Sequence, residues 1–305
     1  MLIKILNLII LLFVPFIMIG IIKKTKAFWS GKKGSPILQP LYDFIRLIKK
    51  DFVISTTTSE VFQIAPIINI VAVIFAGLFV PLASGSAIIN IPAGLIVFAY
   101  TLGLGKFLSL ISAMDTGSSF EGMGASREAC FTTIVEPAFF ILIASIMALS
   151  GNYTFDSLSK IVSSAGSYGV LIIIFAIMIL FIMLLVEGSR VPVDDPTTHL
   201  ELTMIHEVMI LDNSGVDLAL FTWANSIKMM LISSLIAKLV IPETLGCGVT
   251  ILCYLAVMFL ISILIGTIES SMARLRMSHV LEFVFIMSSL ALVVLSLVVS
   301  TFGGV

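Results

Sequence analysis

Residues 5–22, 61–105, 137–155, 161–186, 244–268 and 283–305 contain no Asp, Glu, Lys or Arg. A helix crosses a bilayer with about 20 predominantly apolar residues, so each of these runs is long enough, or nearly so, for one crossing. The 61–105 run has room for two, with Pro81, Ser84, Gly85, Ser86 and Pro92 marking a turn between them. Residues 217–241 make a further apolar run, interrupted by Lys228 and Lys238. With 11% charged residues overall, the chain lacks the charge, roughly a quarter of all residues, that coats a soluble domain. Closed β-barrels are the other way to span a membrane, and they need alternating polarity, which these runs do not have.

The sequence therefore predicts an all-α integral membrane protein, folded as a single polytopic domain over residues 1–305. About eight transmembrane helices are expected, near 3–22, 63–82, 91–113, 130–149, 167–187, 218–241, 248–268 and 281–301. The first reads as a retained helix, because it has no small-residue cleavage site and its apolar stretch is too long for a secretory signal. With eight spans, the loops at 23–60, 115–129, 188–217 and 269–280 share one side. That side holds Lys23, Lys24, Lys26, Lys32, Lys33, Arg46, Lys49, Lys50, Arg127, Arg190, Arg274 and Arg276, against Lys4 and Lys160 opposite. Basic loops stay in the cytoplasm, so both termini are expected outside a cytoplasmic membrane. The net charge of −1 gives no reason to expect a nucleic-acid partner.

The first long loop carries a basic, Gly- and Ser-rich stretch and then an amphipathic pattern. Ile37, Leu41, Phe44, Ile45 and Ile48 share one helical face, largely opposite Asp43, Arg46, Lys49 and Lys50. Such a helix suits either the lipid interface or the docking of a soluble partner. In the third loop, Pro192 and Pro196 interrupt helix formation. Asp195 before Pro196, with Thr198 and Glu201 in capping-box spacing, then predicts a new short helix.

Ionisable groups inside spans are expensive and are functional candidates by default. Glu136 lies well inside the fourth span, just before Pro137, and is a candidate proton carrier or a structural ion-pair partner. Lys106 and Lys228 lie near the middle of their spans and need acidic partners. Asp115, Glu187, Glu269 and Glu282 stand at helix ends, where they mark the water boundary or extend an acidic route from Glu136. His199 and His206, seven residues apart on a helix, are separated by roughly 10 Å, too far to share one metal ion. Proton exchange or hydrogen bonding suits them better. Cys130, Cys247 and Cys253 have no spacing for an iron–sulfur cluster, so the chain is expected to bind no redox cofactor itself. No P-loop, dinucleotide fingerprint or hydrolase triad appears.

Two loop motifs carry a resemblance. The run from Gly34 to Leu47, with Gln39-Pro40, Asp43 and Arg46, resembles the first-loop signature of the respiratory complex I membrane component known as NADH dehydrogenase subunit 1. Glu187-Gly-Ser-Arg190-Val-Pro192-Val-Asp194 resembles that family's Glu-Thr-Asn-Arg-x-Pro-Phe-Asp loop. The continuation through Asp195, His199, Glu201, His206 and Glu207, with Ser126-Arg127-Glu128 and Val135-Glu136-Pro137, is similar to the family's hydrogenase branch. That branch includes formate hydrogenlyase subunit 4 and hydrogenase-4 component C. The resemblance covers essentially the whole chain. It implies a non-catalytic membrane anchor, in contact with lipid, for a group 4 [NiFe]-hydrogenase. The hydrogenase large subunit would bring the nickel–iron centre, a small subunit the iron–sulfur clusters, and antiporter-like membrane subunits a further ion path.

By motif, Asp43, Glu136, Glu187, Arg190, Asp194, Glu201 and Glu207 belong to a proton or coupling path, joined by His199, His206, Lys106 and Lys228. Gln39, Pro40, Arg46, Arg127, Pro192 and Asp195 are the expected partner-docking residues. The chain departs from the quinone branch at His199 and His206. A quinone-chamber component of NADH:quinone oxidoreductase and an independent secondary transporter remain the alternatives, and the latter would be expected to show an internal repeat, which is missing.

Overall fold

A computed structural model describes residues 2–303 apart from 52, 84–86, 152, 156–157, 159–167, 196–203 and 243–245. Every regular element among the described residues is helical. In chain order they are α1 (Leu2–Trp29), α2 (Gln39–Ile48), α3 (Glu60–Phe79), α4 (Gly94–Asp115) and α5 (Ser119–Ser150). There follow α6 (Gly169–Glu187), α7 (His206–Met209), α8 (Gly215–Val240), α9 (Cys247–Ser271) and α10 (Met277–Gly303). All except α2 and α7 are long and apolar enough to cross a membrane, which makes eight. The protein is an all-α, multi-pass membrane protein.

Helix α8 is the hub and packs against α1, α3, α6 and α9. Between membrane helices close packing and interhelical hydrogen bonds replace the hydrophobic drive, so contact faces favour small and hydroxylated residues. Ala219, Ala224, Ser233, Ser234 and Ala237 of α8 are all buried, and the Ser234 hydroxyl meets the Tyr254 hydroxyl of α9 at 2.8 Å. Gly266 lets α9 approach α1, since a Cβ there would lie 2.7 Å from Thr25 Cβ. Outward faces are bulky and apolar instead, as with Ile64, Ile67, Val71 and Phe75 on α3 or Phe285, Leu292 and Val299 on α10.

Two elements differ from the sequence expectation. Helix α5 starts at Ser119, so most of the loop expected at 115–129 is helix. Its first turns bury Glu121, Gly124 and Glu128, and Glu121 Oε1 accepts the Asp212 N–H at 2.8 Å. The short helix expected after Pro196 is reduced, among the described residues, to the single turn α7. The N–H groups of Ile205 and His206 go to Asp194 Oδ2, at 3.2 and 3.0 Å, instead of continuing a helix backwards. The capping-box residues Thr198 and Glu201, with Pro196 and His199, lie outside the described residues. Helix α2 turns Pro40, Asp43, Phe44 and Leu47 towards the protein, leaving Leu38, Tyr42, Ile45 and Ile48 exposed. Of the apolar face read from the pattern, Ile45 and Ile48 are exposed, while Phe44 packs inward beside Asp43.

Candidate functional site

A cavity of about 350 Å³ opens beside α2, between the C-terminal half of α1, the first four turns of α8, the residues that follow α6 and the end of α9. Its apolar wall includes Phe16, Ile19 and Met229, with a ring cluster of Phe16, Phe44 and Trp223 at centroid distances of 5.0–5.9 Å. Its polar rim carries Lys23, Lys26, Asp43, Arg190, Glu207 and Glu269. Most of these charges are paired in place. Glu269 takes Lys26 at 3.0 Å and Arg190 at 3.3 Å, while Asp43 accepts from Gln39 Nε2 at 2.8 Å with Lys23 at 3.9 Å.

Behind this cavity four charged side chains from four spanning helices form one buried cluster. Lys106 of α4 donates to Glu187 Oε1 at the end of α6 at 2.6 Å and reaches Glu128 Oε1 of α5 at 2.9 Å. Lys228 of α8 takes the other Glu187 oxygen at 3.1 Å. None of the four side chains is more than 14% exposed. Burying a charge in hydrocarbon-like surroundings is costly unless it is paired and hydrogen-bonded. Two lysines against two glutamates make the cluster neutral, and each member is held by at least one of the others. Such a chain can pass a proton or rearrange its pairing when one partner changes protonation state.

The third loop ties this cluster to the cavity. Asp194 is buried, pairs with Arg274 at 3.2 Å, and receives the N–H groups of Asp195, Ile205 and His206. Burial pushes its carboxyl above the usual range, against the pull of those N–H groups and of Arg274. His206 lines the large cavity and also a second space, of about 20 Å³, bounded by Lys106, Glu128 and Lys228. Burial of its ring pushes the His206 pKa down to about 4, so the imidazole is neutral at physiological pH.

Among the residues singled out for a coupling path, Lys106, Glu187 and Lys228 meet in the cluster, and Asp43, Arg190, His206 and Glu207 line the large cavity. Glu136 stands apart on α5 and makes no ion pair or hydrogen bond among the described residues, although Lys106 and Glu187 are close enough to act on its charge. His199 and Glu201 lie outside the described residues. The docking set divides. Arg46 is exposed, whereas Pro40 and Pro192 are buried and Arg127 donates to the Met204 carbonyl at 3.0 Å. Pro40 and Pro192 pack the first and third loops against the protein, and Arg127 ties α5 to the third loop. Asp195 beside them is half-buried, and Gln39 orients Asp43.

Reasoning from sequence missed Glu128 as a partner of Lys106, and it missed Glu269 as the anion shared by Lys26 and Arg190. A lysine in a span demands an acid, and Glu128 lies two helical turns before Glu136, a signal that becomes usable once α5 is known to start early. Among the described residues no group of three or more His, Cys, Asp and Glu is arranged to hold a metal ion.

The NADH dehydrogenase family model matches residues 3–300. Among curated proteins, the chain is 27% identical to hydrogenase-4 component C of Escherichia coli (strain K12), over 93% of this chain and 92% of that one. It is 24% identical to formate hydrogenlyase subunit 4 of the same organism, over 85% of each chain. Against an NADH-quinone oxidoreductase subunit of Rhodospirillum rubrum identity is 28%, over 67% of this chain and 59% of that one. Among solved structures, a chain of the membrane-bound sulfane sulfur reductase, an archaeal respiratory membrane complex, superimposes with a TM-score of 0.82. It covers 97% of this chain and 98% of that chain at 19% identity, a likeness of fold. The resemblance of the two loop motifs thus extends to nearly the whole chain, which belongs to the NADH dehydrogenase family.

Proposed function

We propose that this chain is the membrane-anchoring and energy-coupling subunit of a membrane-bound [NiFe]-hydrogenase-type complex. It docks a soluble hydrogenase module at the end bearing the large cavity and links electron transfer there to proton or sodium translocation. The observation that carries the reading is the buried Lys106–Glu128–Glu187–Lys228 cluster beside the cavity, in a chain whose end-to-end relatives are hydrogenase-4 component C and formate hydrogenlyase subunit 4. The nickel–iron centre and iron–sulfur clusters belong to partner subunits, and antiporter-like subunits would continue the ion path.

In this reading, a change of charge or conformation in the docked module acts on the third loop. Asp194, Arg190 and Glu207 transmit it, and the cluster rearranges its ion pairs. The chain itself makes and breaks no redox bond; it holds and moves protons. A second reading, a quinone chamber, is favoured by the apolar wall and the Phe16–Phe44–Trp223 cluster. It fits the relatives less well, since the match to the NADH-quinone oxidoreductase relative spans only 59% of that protein.

The test is gentle purification of the tagged chain from native membranes, with subunit identification and a nickel assay. Recovery with a nickel-containing hydrogenase and antiporter-like subunits is expected. Recovery with flavin-containing NADH dehydrogenase subunits would transfer support to the quinone reading. A chain that purifies alone, without either set, would overturn both.

A further inference from the structure

Two side chains, His206 and Asn225, line both the large cavity and the small space against the ion cluster. Asn225 comes from the hub helix α8, and His206 from the single turn held by Asp194. Each presents a buried polar atom that no protein group satisfies, Nε2 of His206 and Oδ1 of Asn225. An unsatisfied buried donor or acceptor costs about 1–3 kcal/mol, so two of them beside one small space ask for a shared partner. The space measures about 20 Å³, against the roughly 10–15 Å³ that one water requires. A buried water also needs two to four polar partners. Asn69, Ser109, Lys106, Glu128 and Lys228 line the same space, so the number of partners is met.

We propose that His206 and Asn225 bind a single water in this space, and that this water and the His206 imidazole form the proton relay between the large cavity and the Lys106–Glu128–Glu187–Lys228 cluster. The inference rests on the coupling function proposed above and adds the junction through which protons enter the cluster. Each hop breaks one O–H or N–H bond and forms another, and no electrons change hands. A proton arriving from the cavity side is accepted by the neutral imidazole on one nitrogen. The other nitrogen releases its proton to the bound water, and the water passes one of its own to Glu128. A turn of the ring between the two sides resets the histidine, since running the hops backwards would only return the proton to the cavity. Asn225 cannot carry the proton. Its carbonyl holds the water, and it is a positioning residue.

Neutrality of the resting ring suits this role, because a neutral imidazole offers one donor and one acceptor, whereas an imidazolium offers only donors. The charged groups facing the ring offset one another. Lys106 and Lys228 disfavour its protonation, while Glu128 and Glu187 favour it. Loss of an ion pair within the cluster therefore changes the ease with which His206 accepts a proton, which makes the relay responsive to the state of the cluster.

The intact complex in sealed vesicles provides the test, read as protons moved per turnover, with assembly checked by co-purification. His206→Gln keeps a hydrogen-bonding side chain that cannot shuttle a proton, and Asn225→Leu fills the water space. Both are expected to lower the ratio at least tenfold. His206→Ala is expected to recover it when imidazole, small enough to enter the large cavity, is added at millimolar concentration. Glu187→Gln distinguishes failure of the relay from failure of the coupling function. If Glu187→Gln abolishes translocation while His206→Gln and Asn225→Leu keep it, the relay is wrong and the coupling function stands. If all three variants keep the wild-type ratio, the coupling function fails as well. Loss in His206→Ala that imidazole does not restore means a structural role and also overturns the relay. A reconstruction of the complex at a resolution that shows waters is expected to place one between His206 Nε2 and Asn225 Oδ1, and a dry space there would sink the proposal without reference to activity.

Discussion

At the scale of single residues, the chain spends its few charges in two ways. Many are exposed to solvent, and the charges of the central cluster are buried together with their partners, with Glu136 the half-buried exception. Lys106 is the clearest of the second kind, since it is the link between Glu128 and Glu187. Replacing Lys106 with Met leaves Glu128 without a counter-charge while Lys228 still holds Glu187. Removing one partner of a buried pair costs about 3–5 kcal/mol, and the fall should be visible as a lower unfolding temperature in detergent. A Lys106→Met/Glu128→Leu double variant should regain most of that loss, because a buried pair replaced by apolar groups is often neutral. No recovery would mean that Glu128 is held by something other than Lys106. His206 gives a pH prediction of definite sign. Its pKa lies at about 4 in the folded protein against 6.5 in its ordinary state, so between those values the unfolded chain binds more protons. Stability falls as pH drops from about 6.5 towards 4 and is unaffected by this group above that window. His206→Asn should remove that part of the acid sensitivity, measured as unfolding temperature against pH. An unchanged slope would show that His206 protonates freely when folded.

At the scale of elements, the first turns of α5 and the third loop form one unit. Gly124 faces the loop so closely that a Cβ would lie 2.9 Å from the Ile205 carbonyl oxygen and 3.1 Å from Met209 and Val208. Gly124→Ala must therefore push the loop backbone away, at a cost of about 1–3 kcal/mol for overpacking. The expected readout is faster hydrogen exchange at the Ile205 and His206 amides, which donate to Asp194. Gly122→Ala, where an added Cβ meets nothing within 4 Å, is the control and should leave exchange unchanged. Equal effects from the two substitutions would dismiss close packing as the cause. This unit also marks where reading the sequence stopped short. The spans were legible because hydrocarbon imposes a length and forbids unpaired charge, and no distant partner is needed to see either. Residues 119–129, rich in Gly, Ser and charge, read as a loop. They are helical because the third loop packs on them, and that contact joins residues far apart in sequence. Lys106 was legible as a problem, a cation inside a span, but its solution was not. Glu187 lies 81 residues away, and local pattern carries no information about which of several acids the fold brings near.

At the scale of the whole molecule, charge asymmetry and cavity position make one argument about direction. The ends of α1, α6 and α9 that frame the cavity are also where Lys23, Lys26, Arg190 and Arg274 cluster, while Lys4 sits at the opposite end and donates to the Ile88 carbonyl. Loops carrying most of the basic residues remain cytoplasmic, so the cavity, α2 and the third loop are expected to face the cytoplasm, with both termini outside. A soluble hydrogenase module can reach the cavity only from that side, so orientation is a condition of the proposed function. A protease-cleavable tag fused after Val305 tests it. In right-side-out vesicles the tag should be removed by added protease, and in inverted vesicles it should survive until detergent is added. The reverse pattern would put the cavity outside the cell. Protons entering the Lys106 cluster by way of His206 would then come from the wrong compartment, and docking of a cytoplasmic electron-transfer partner could not occur.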